Sequence, residues 1–517
     1  MSDPNPNSTK SRNVVMIGND VSSSCSKPVI LCLVNAAAYS RTYFQQLEPL
    51  LKGLGYEVAY ALDSHLSDVM YSDGLPLANA AYFTDYCRSR MPLPDDYTDD
   101  CQPGWSLLFS DFDRFLTMNI RPALKADGPL RYEHIPKLLR EFFDDAFDRW
   151  KPVAVLYEQA SNSFALSAHA RAKKEGIPFC SIAPARIPGR IEVSSTGGIE
   201  DYKTLAEHCK KARDRQIDQS SWRIAAEYIA QVDTAVPDYM KAGQAGEMLS
   251  RIGLLGRYAN ISKLKHLGRA WQYRRKYPED IALAYQHGDP FKLSWAYFMR
   301  ALRRRIRFTF VREFYKLKPR HGRFILYPLH FHPEASTSVL APDFIDEMHV
   351  IKSIAFRLPS SVRLVVKEHP SAVAMQPREF YRQLSELPNV DLLASHVSAK
   401  RLARESVGVV CVTSTLGFEA AAMGKPVIAL GDVLYGYFPN VRMVQTCAGI
   451  GAALEWALNC PDCPPQEVLE AMAAYAEFTA AGAFDFKASL GDTVALQSVA
   501  RLLNDRIAVG KCRVSAD

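Results

Sequence analysis

Long apolar runs are missing from this chain. In 517 residues no stretch reaches the roughly 18 uninterrupted apolar residues that a membrane-spanning helix requires. The N-terminus also lacks the apolar core, flanked by basic residues, of a secretory signal. Met1 to Lys27 is instead rich in Ser, Asn and Asp, and a disordered tail is expected over 1–27. The protein is therefore expected to stay in the cytoplasm, where it is made. Paired cysteines are scarce too. The eleven are scattered and odd in number, and Cys32, Cys180 and Cys411 fall inside strand-like apolar runs, which points to reduced core thiols. Cys460-Pro-Asp-Cys463 has redox or metal spacing, but no second pair accompanies it. What the chain does have is 48% hydrophobic and 23% charged residues, enough to build large cores, over a length that calls for two domains or more.

The net charge of +6 is unevenly placed. From Arg251 to Arg323 there are 19 Lys/Arg against four acids, Glu279, Asp280, Asp289 and Glu313, so this segment is +15 and the remainder about −9. A block so confined creates a field that attracts polyanions or anionic membrane. No nucleic-acid-binding module accompanies it, and nucleic acid is not expected as a partner.

Strands and helices alternate twice. In the first half, Pro28–Val34, Glu57–Leu62, Val153–Tyr157 and Ile177–Ile182 read as short buried strands. Helices are expected from Ser40 (with Pro49 as a kink or break), over Pro136–Trp150, and over Ser161–Glu175. Residues 200 to about 320 lose the strand signal and look helical. A second alternation starts at Arg323, with strands at Phe324–Tyr327, Val362–Val366, Val390–Leu393, Val407–Val412 and Pro426–Leu430, and helical residues from Gln466 to Asn504. The expected fold class is α/β: two Rossmann-like domains, 28–200 and 323–517, with a helical basic insertion over 201–322. Ligands of such domains lie at the carboxyl ends of the strands.

Three polar clusters sit at those strand ends in the second half: Tyr327-Pro-Leu-His-Phe-His-Pro-Glu-Ala-Ser-Thr337, Lys367-Glu-His-Pro370 and Thr413-Ser-Thr-Leu-Gly-Phe-Glu-Ala420. Hydroxyls and free N–H groups at a helix start suit an anion such as a nucleotide's phosphates. Glu419, one turn in, would accept hydrogen bonds from ribose or sugar hydroxyls. Each residue also has a plainer role open to it, Ser414 as a helix cap and His369 as a core histidine. In the first half, Glu158 directly follows a buried strand, placed either as a cleft carboxylate or as a solvated loop acid.

These stretches, with Gly424-Lys-Pro-Val-Ile428, Glu158-Gln-Ala-Ser-Asn162 and Arg186-Ile-Pro-Gly-Arg190, resemble the capsule polysaccharide biosynthesis glycosyltransferases of the two-domain GT-B type. That group includes the Kdo transferases, with their His-Pro motif. The resemblance covers roughly residues 28–200 and 320–440. It implies a CMP- or UDP-linked sugar donor, bound without a metal or cofactor by the C-terminal domain. It implies a polysaccharide or lipid-linked glycan acceptor. By the same analogy His330, His332, Glu334, Lys367, His369, Ser414, Thr415 and Glu419 bind the donor. Glycosyl transfer also needs a carboxylate on the acceptor side, as base or nucleophile, and Glu158 is the candidate.

Other readings compete for the same residues. His330 and His332 share a strand face and, with His369 and Glu334, would suit zinc. Asp111-Phe-Asp113 is a DxD, but it lies in an aromatic-rich helical segment and reads as a solvated face. Arg300, Arg303, Arg304 and Arg307, interleaved with Phe298, Ile306, Phe308 and Phe310, suggest a cationic surface for an anionic membrane or the acceptor glycan. At the level of function, a nucleotide-sugar epimerase and a non-catalytic capsule assembly or export factor remain as alternatives.

Overall fold

The structure, a computed structural model, describes residues 27–514 apart from 36–38, 72–76, 99–103, 119–123, 126–127, 242–260 and 483–491. The expected tail, save Lys27, and residues 251–260 of the basic block lie outside the described residues.

Two sheets organise the molecule. The first has the strand order β13-β6-β5-β4-β1-β2-β3. Its strands are β1 (Val29–Val34), β2 (Glu57–Leu62), β3 (Ala80–Tyr82), β4 (Pro152–Tyr157), β5 (Phe179–Pro184), β6 (Arg190–Ser194) and β13 (Thr479–Ala481). All pair in parallel except β6 and β13. The second sheet, β12-β11-β10-β7-β8-β9, is parallel throughout. It consists of β7 (Arg323–Pro328), β8 (Val362–Lys367), β9 (Val390–Leu393), β10 (Gly408–Cys411), β11 (Val427–Ala429) and β12 (Val441–Met443). The apolar runs that mark these strands are buried on both faces, as helix-covered parallel sheets require.

The helices around the first sheet are α1 (Ser40–Gly53), α2 (Leu66–Met70), α3 (Phe83–Arg90), α4 (Phe109–Met118), α5 (Ile135–Trp150) and α6 (Ser163–Lys174). Pro49 does not break α1, which runs to Gly53. Asn162, not Ser161, starts α6, its side chain accepting from the Ala165 N–H at 3.1 Å.

The span after the first alternation is helical, but it serves both lobes. Helices α7 (Asp201–Arg213), α8 (Gln219–Gln231) and α9 (Asp238–Lys241) lie toward the second lobe, and Leu205, Ala225 and Tyr228 join its core. Helices α10 (Ile261–Lys276) and α11 (Pro278–Leu283) pack on α2 and α3 of the first lobe. The long α12 (Pro290–Val311) then leads to the second sheet. There the helices are α13 (Ala335–Ser338), α14 (Glu347–Ala355), α15 (Arg378–Glu386), α16 (Ala399–Glu405), α17 (Thr415–Ala422), α18 (Ile450–Asn459) and α19 (Pro465–Phe478).

The boundary drawn at 323–517 needs correction. After α19 the chain adds β13 to the edge of the first sheet, antiparallel to β6. It ends in α20 (Thr493–Val514), whose Ala495, Leu496, Val499 and Leu503 pack with Ile30, Cys32, Val58, Leu156 and Val193. The apolar face of α20 therefore belongs to the first lobe, where the exposed side of β1, β4 and β5 needs a cover.

Candidate active site

The carboxyl ends of the two sheets face each other across a cleft. A cavity of about 300 Å³ occupies it, with Asn35, Tyr157, Glu158, Ser161 and Asn162 on the first-lobe wall and Pro333, Glu334, Ala335 and Ser338 on the second. Ser110, Asp111 and Arg114 of α4 and Gln286 complete the lining. A larger cavity of about 940 Å³ adjoins it, and Arg114 and Glu334 line both. The larger one is walled by α10, α12, Phe331, His369 and Ser371.

Glu158 directly follows β4 and lines the smaller cavity. Burial pushes its pKa up to about 6. Glu334, on the facing wall, is more open to solvent; the protein packed around it raises its pKa as well, against the opposing pull of the Ser336 hydroxyl and His332. Two carboxyl groups of elevated basicity thus share one cavity from opposite lobes.

The His-x-His-Pro-Glu loop is held from behind. His330 is buried, its Nδ1 lies 3.3 Å from Glu347, and its Nε2 accepts the Val412 N–H at 3.2 Å. His332 places Nδ1 2.8 Å from the Thr337 hydroxyl and Nε2 2.9 Å from Asp113. Both nitrogens of each ring are thereby engaged, so neither histidine presents a lone pair to a shared metal. His369 is different. Its Nδ1 accepts the Ser371 N–H at 3.1 Å, and burial, reinforced by the positive charge of nearby Lys367 and Arg304, pushes its pKa down to about 4. A neutral ring that accepts at Nδ1 must carry its proton on Nε2, which makes His369 a hydrogen-bond donor at the wall of the larger cavity.

Several expectations are corrected by these positions. Asp111 and Asp113 are not a solvated face, since both are buried. Asp111 accepts from the Ser163 hydroxyl and from Gln286 at 3.3 Å, and burial raises its pKa to about 6. Asp113 accepts from Ser338 and pairs with His332, and these bonds outweigh burial and hold it below the usual carboxylate range. Helix α4 faces the other lobe, where polar residues find polar partners instead of water.

Lys367 turns away from the cleft, donating to the carbonyls of Glu368 and Ser395 at 3.0 Å each. Nor do Ser414, Thr415 and Glu419 line either cavity with His369. Ser414 caps α17 by accepting the Leu416 N–H, the Thr415 hydroxyl lies 2.7 Å from that of Tyr239, and Glu419 pairs with Lys400 at 3.0 Å. These three form a separate polar cluster one strand away from the His330 loop.

The four arginines divide. Arg300 and Arg304 line the larger cavity, Arg304 donates to the Val373 carbonyl, and Arg307 donates to those of Ala374, Met375 and Gln376. Of the four, Arg303 alone is exposed. A guanidinium with carbonyls in reach satisfies its fork there rather than facing solvent.

Asn35, Ser110, Arg114 and Gln286 line the smaller cavity and went unrecognised in the sequence. Asn35 follows β1 just as Glu158 follows β4, so the strand-end signal was present for it. Gln286 carries no such signal.

Residues 270–438, which include the His330 loop, His369 and the Ser414 cluster, match the family described as capsule polysaccharide biosynthesis protein. Among curated proteins, the chain is similar to the capsule polysaccharide modification protein LipA of Neisseria meningitidis serogroup B, 36% identical over 89 residues. That match covers 16% of this chain and 13% of LipA. Among solved structures, the KpsC β-Kdo 2,7 transferase of Thermosulfurimonas dismutans is 15% identical, covers 65% of this chain and 80% of its own, and has a TM-score of 0.34. The UDP-GlcNAc 2-epimerase of N. meningitidis bound to UDP-GlcNAc is 14% identical, covers 92% and 100%, and has a TM-score of 0.26.

Proposed function

We propose that the protein transfers a sugar, Kdo or a related acidic sugar, from a CMP- or UDP-linked donor to a capsular or other surface polysaccharide. One observation carries this reading: Glu158 from the first lobe and the Pro333–Ser338 loop from the family-matched segment wall the same cavity. Transfer breaks the bond between the anomeric carbon and the phosphate oxygen, and the nucleotide leaves with the electron pair. The acceptor hydroxyl oxygen bonds to that carbon, and its proton passes to a carboxylate.

Glu158 suits that task, being ionised at neutral pH and more basic than a surface carboxylate. Arg114, Arg300 and Arg304, with His369 as a neutral donor, offer the leaving phosphate and an acidic sugar compensating charge and hydrogen bonds. The reading requires no metal, and turnover is expected to survive a chelator.

The test is nucleotide release from CMP-Kdo and from UDP-sugars, with and without acceptor glycan. Release that depends on acceptor is expected, and Glu158→Gln should slow it by about 10²–10⁴-fold, the scale for losing a positioned acid–base group. If Glu158 is the nucleophile, intact-protein mass will show a sugar adduct on it. Near-normal transfer by Glu158→Gln removes both roles.

A further inference from the structure

Helix α12 has two faces. Arg300, Arg304 and Arg307 point inward, to the cavity and to the carbonyls of residues 373–376. On the opposite side, Trp295, Leu302, Arg303, Ile306 and Phe310 recur at helical spacing. Trp295 is 64% exposed, and Ile306 and Phe310 are each 54% exposed. Over the 16 residues from Trp295 to Phe310 the stripe is about 22 Å long. Contiguous large apolar side chains in water mark a surface that meets something.

Charge identifies what it meets. Between Asp289 and Glu313 the chain has no acid, and of its seven Lys/Arg there Lys292, Arg303 and Arg312 are exposed to solvent while Arg300, Arg304 and Arg307 are turned inward. A second copy of this face would set positive charge against positive charge, whereas an anionic lipid surface is complementary to it. An apolar stripe in a cationic helix, with a tryptophan at one end, is also the pattern of a helix lying in the membrane interface. No helix among the described residues is long and apolar enough to cross a membrane, so the contact would be peripheral. Trp295 additionally lines the larger cavity, so the cavity opens beside this face.

We propose that the outward face of α12 docks on an anionic membrane surface, with Trp295, Ile306 and Phe310 entering the interface and Arg303 meeting lipid head groups. This inference stands apart from the transfer reaction and would survive its failure.

Co-sedimentation of the full chain with vesicles tests it. Binding is expected to phosphatidylcholine vesicles containing phosphatidylglycerol and not to phosphatidylcholine alone, and added salt should weaken it. Replacing Ile306 and Phe310 by Ser should lower partitioning by about a hundredfold, roughly tenfold per buried side chain. Arg303→Glu should lower it on the anionic vesicles. All three residues are exposed, so melting curves should match the wild type. If the double variant does not fold, Ile306→Ser alone is read, with the tenfold loss expected. Unchanged partitioning of the variants, or equal binding to pure phosphatidylcholine, overturns the proposal. So does a wild-type dimer that the double variant abolishes, which would give the face to a second copy.

Discussion

Glu158 follows a strand whose last four residues are buried, and it borders a cavity instead of open water. Its pKa of about 6 against an ordinary 4.5 has two measurable consequences. The first is kinetic: kcat/KM for transfer should fall as pH drops through about 6, and Glu158→Gln should lose that limb along with most of the rate. The second is thermodynamic. A raised carboxyl pKa means the folded state holds its proton more tightly than the unfolded chain. Stability from this group is therefore full below about 4.5 and lost as pH rises through about 6, an effect of up to about 2 kcal/mol. Glu158→Gln should consequently stabilise the protein at pH 8 and leave it unchanged at pH 4.5, as read by denaturant titration at both values. A stability gain equal at the two pH values would show that the charge is not what burial penalises. Glu158 was legible in the sequence because a lone acid after a buried strand has few places to go. Asp111 and Asp113 were not, because on an amphipathic helix a carboxylate facing water and one facing another lobe have the same periodicity.

Helix α4 shows what that ambiguity concealed. Within four residues Asp111 bonds the start of α6 through Ser163, Asp113 bonds His332 and Ser338 of the opposite lobe, and Arg114 donates to Tyr297 of α12 at 2.9 Å. One short element thereby fixes the distance between Glu158 and Glu334. Asp113→Asn keeps the shape but weakens both cross-lobe bonds, and a cost of about 1–3 kcal/mol is expected for groups left poorly paired. Transfer should slow by about tenfold with little change in α-helical content by circular dichroism. Leu116→Ser, on the same helix but 79% exposed, should change neither. The helix itself was visible in the sequence. Its partners lie 52 to 225 positions away and leave no local trace.

On the scale of the whole molecule, the strand–helix alternation revealed both sheets but not where the chain closes the first one. β13 is only three residues long, and α20 looks like any other amphipathic helix, so nothing in their own composition names the lobe they join. A protein cut to residues 28–200 would leave Ile30, Cys32, Leu156, Ile182 and Val193 without the side chains of α20 that cover them. Such a fragment is expected to be insoluble. Adding residues 479–514 as a separate peptide should recover soluble material, and gel filtration of the co-expressed pair checks this.

The return of β13 to β6 also sets an order of events during synthesis. The outer edge of β6 is an unpaired strand until Thr479 to Ala481 have emerged from the ribosome, roughly 285 residues after Ser194. At about 5–20 residues per second that is on the order of tens of seconds. Throughout that interval a nascent chain displays an open edge and an uncovered apolar sheet face, the two features that recruit neighbouring chains into aggregates. Yield in the cell should therefore depend on how quickly the last 39 residues follow the rest, and on whatever shields β6 while they are being made.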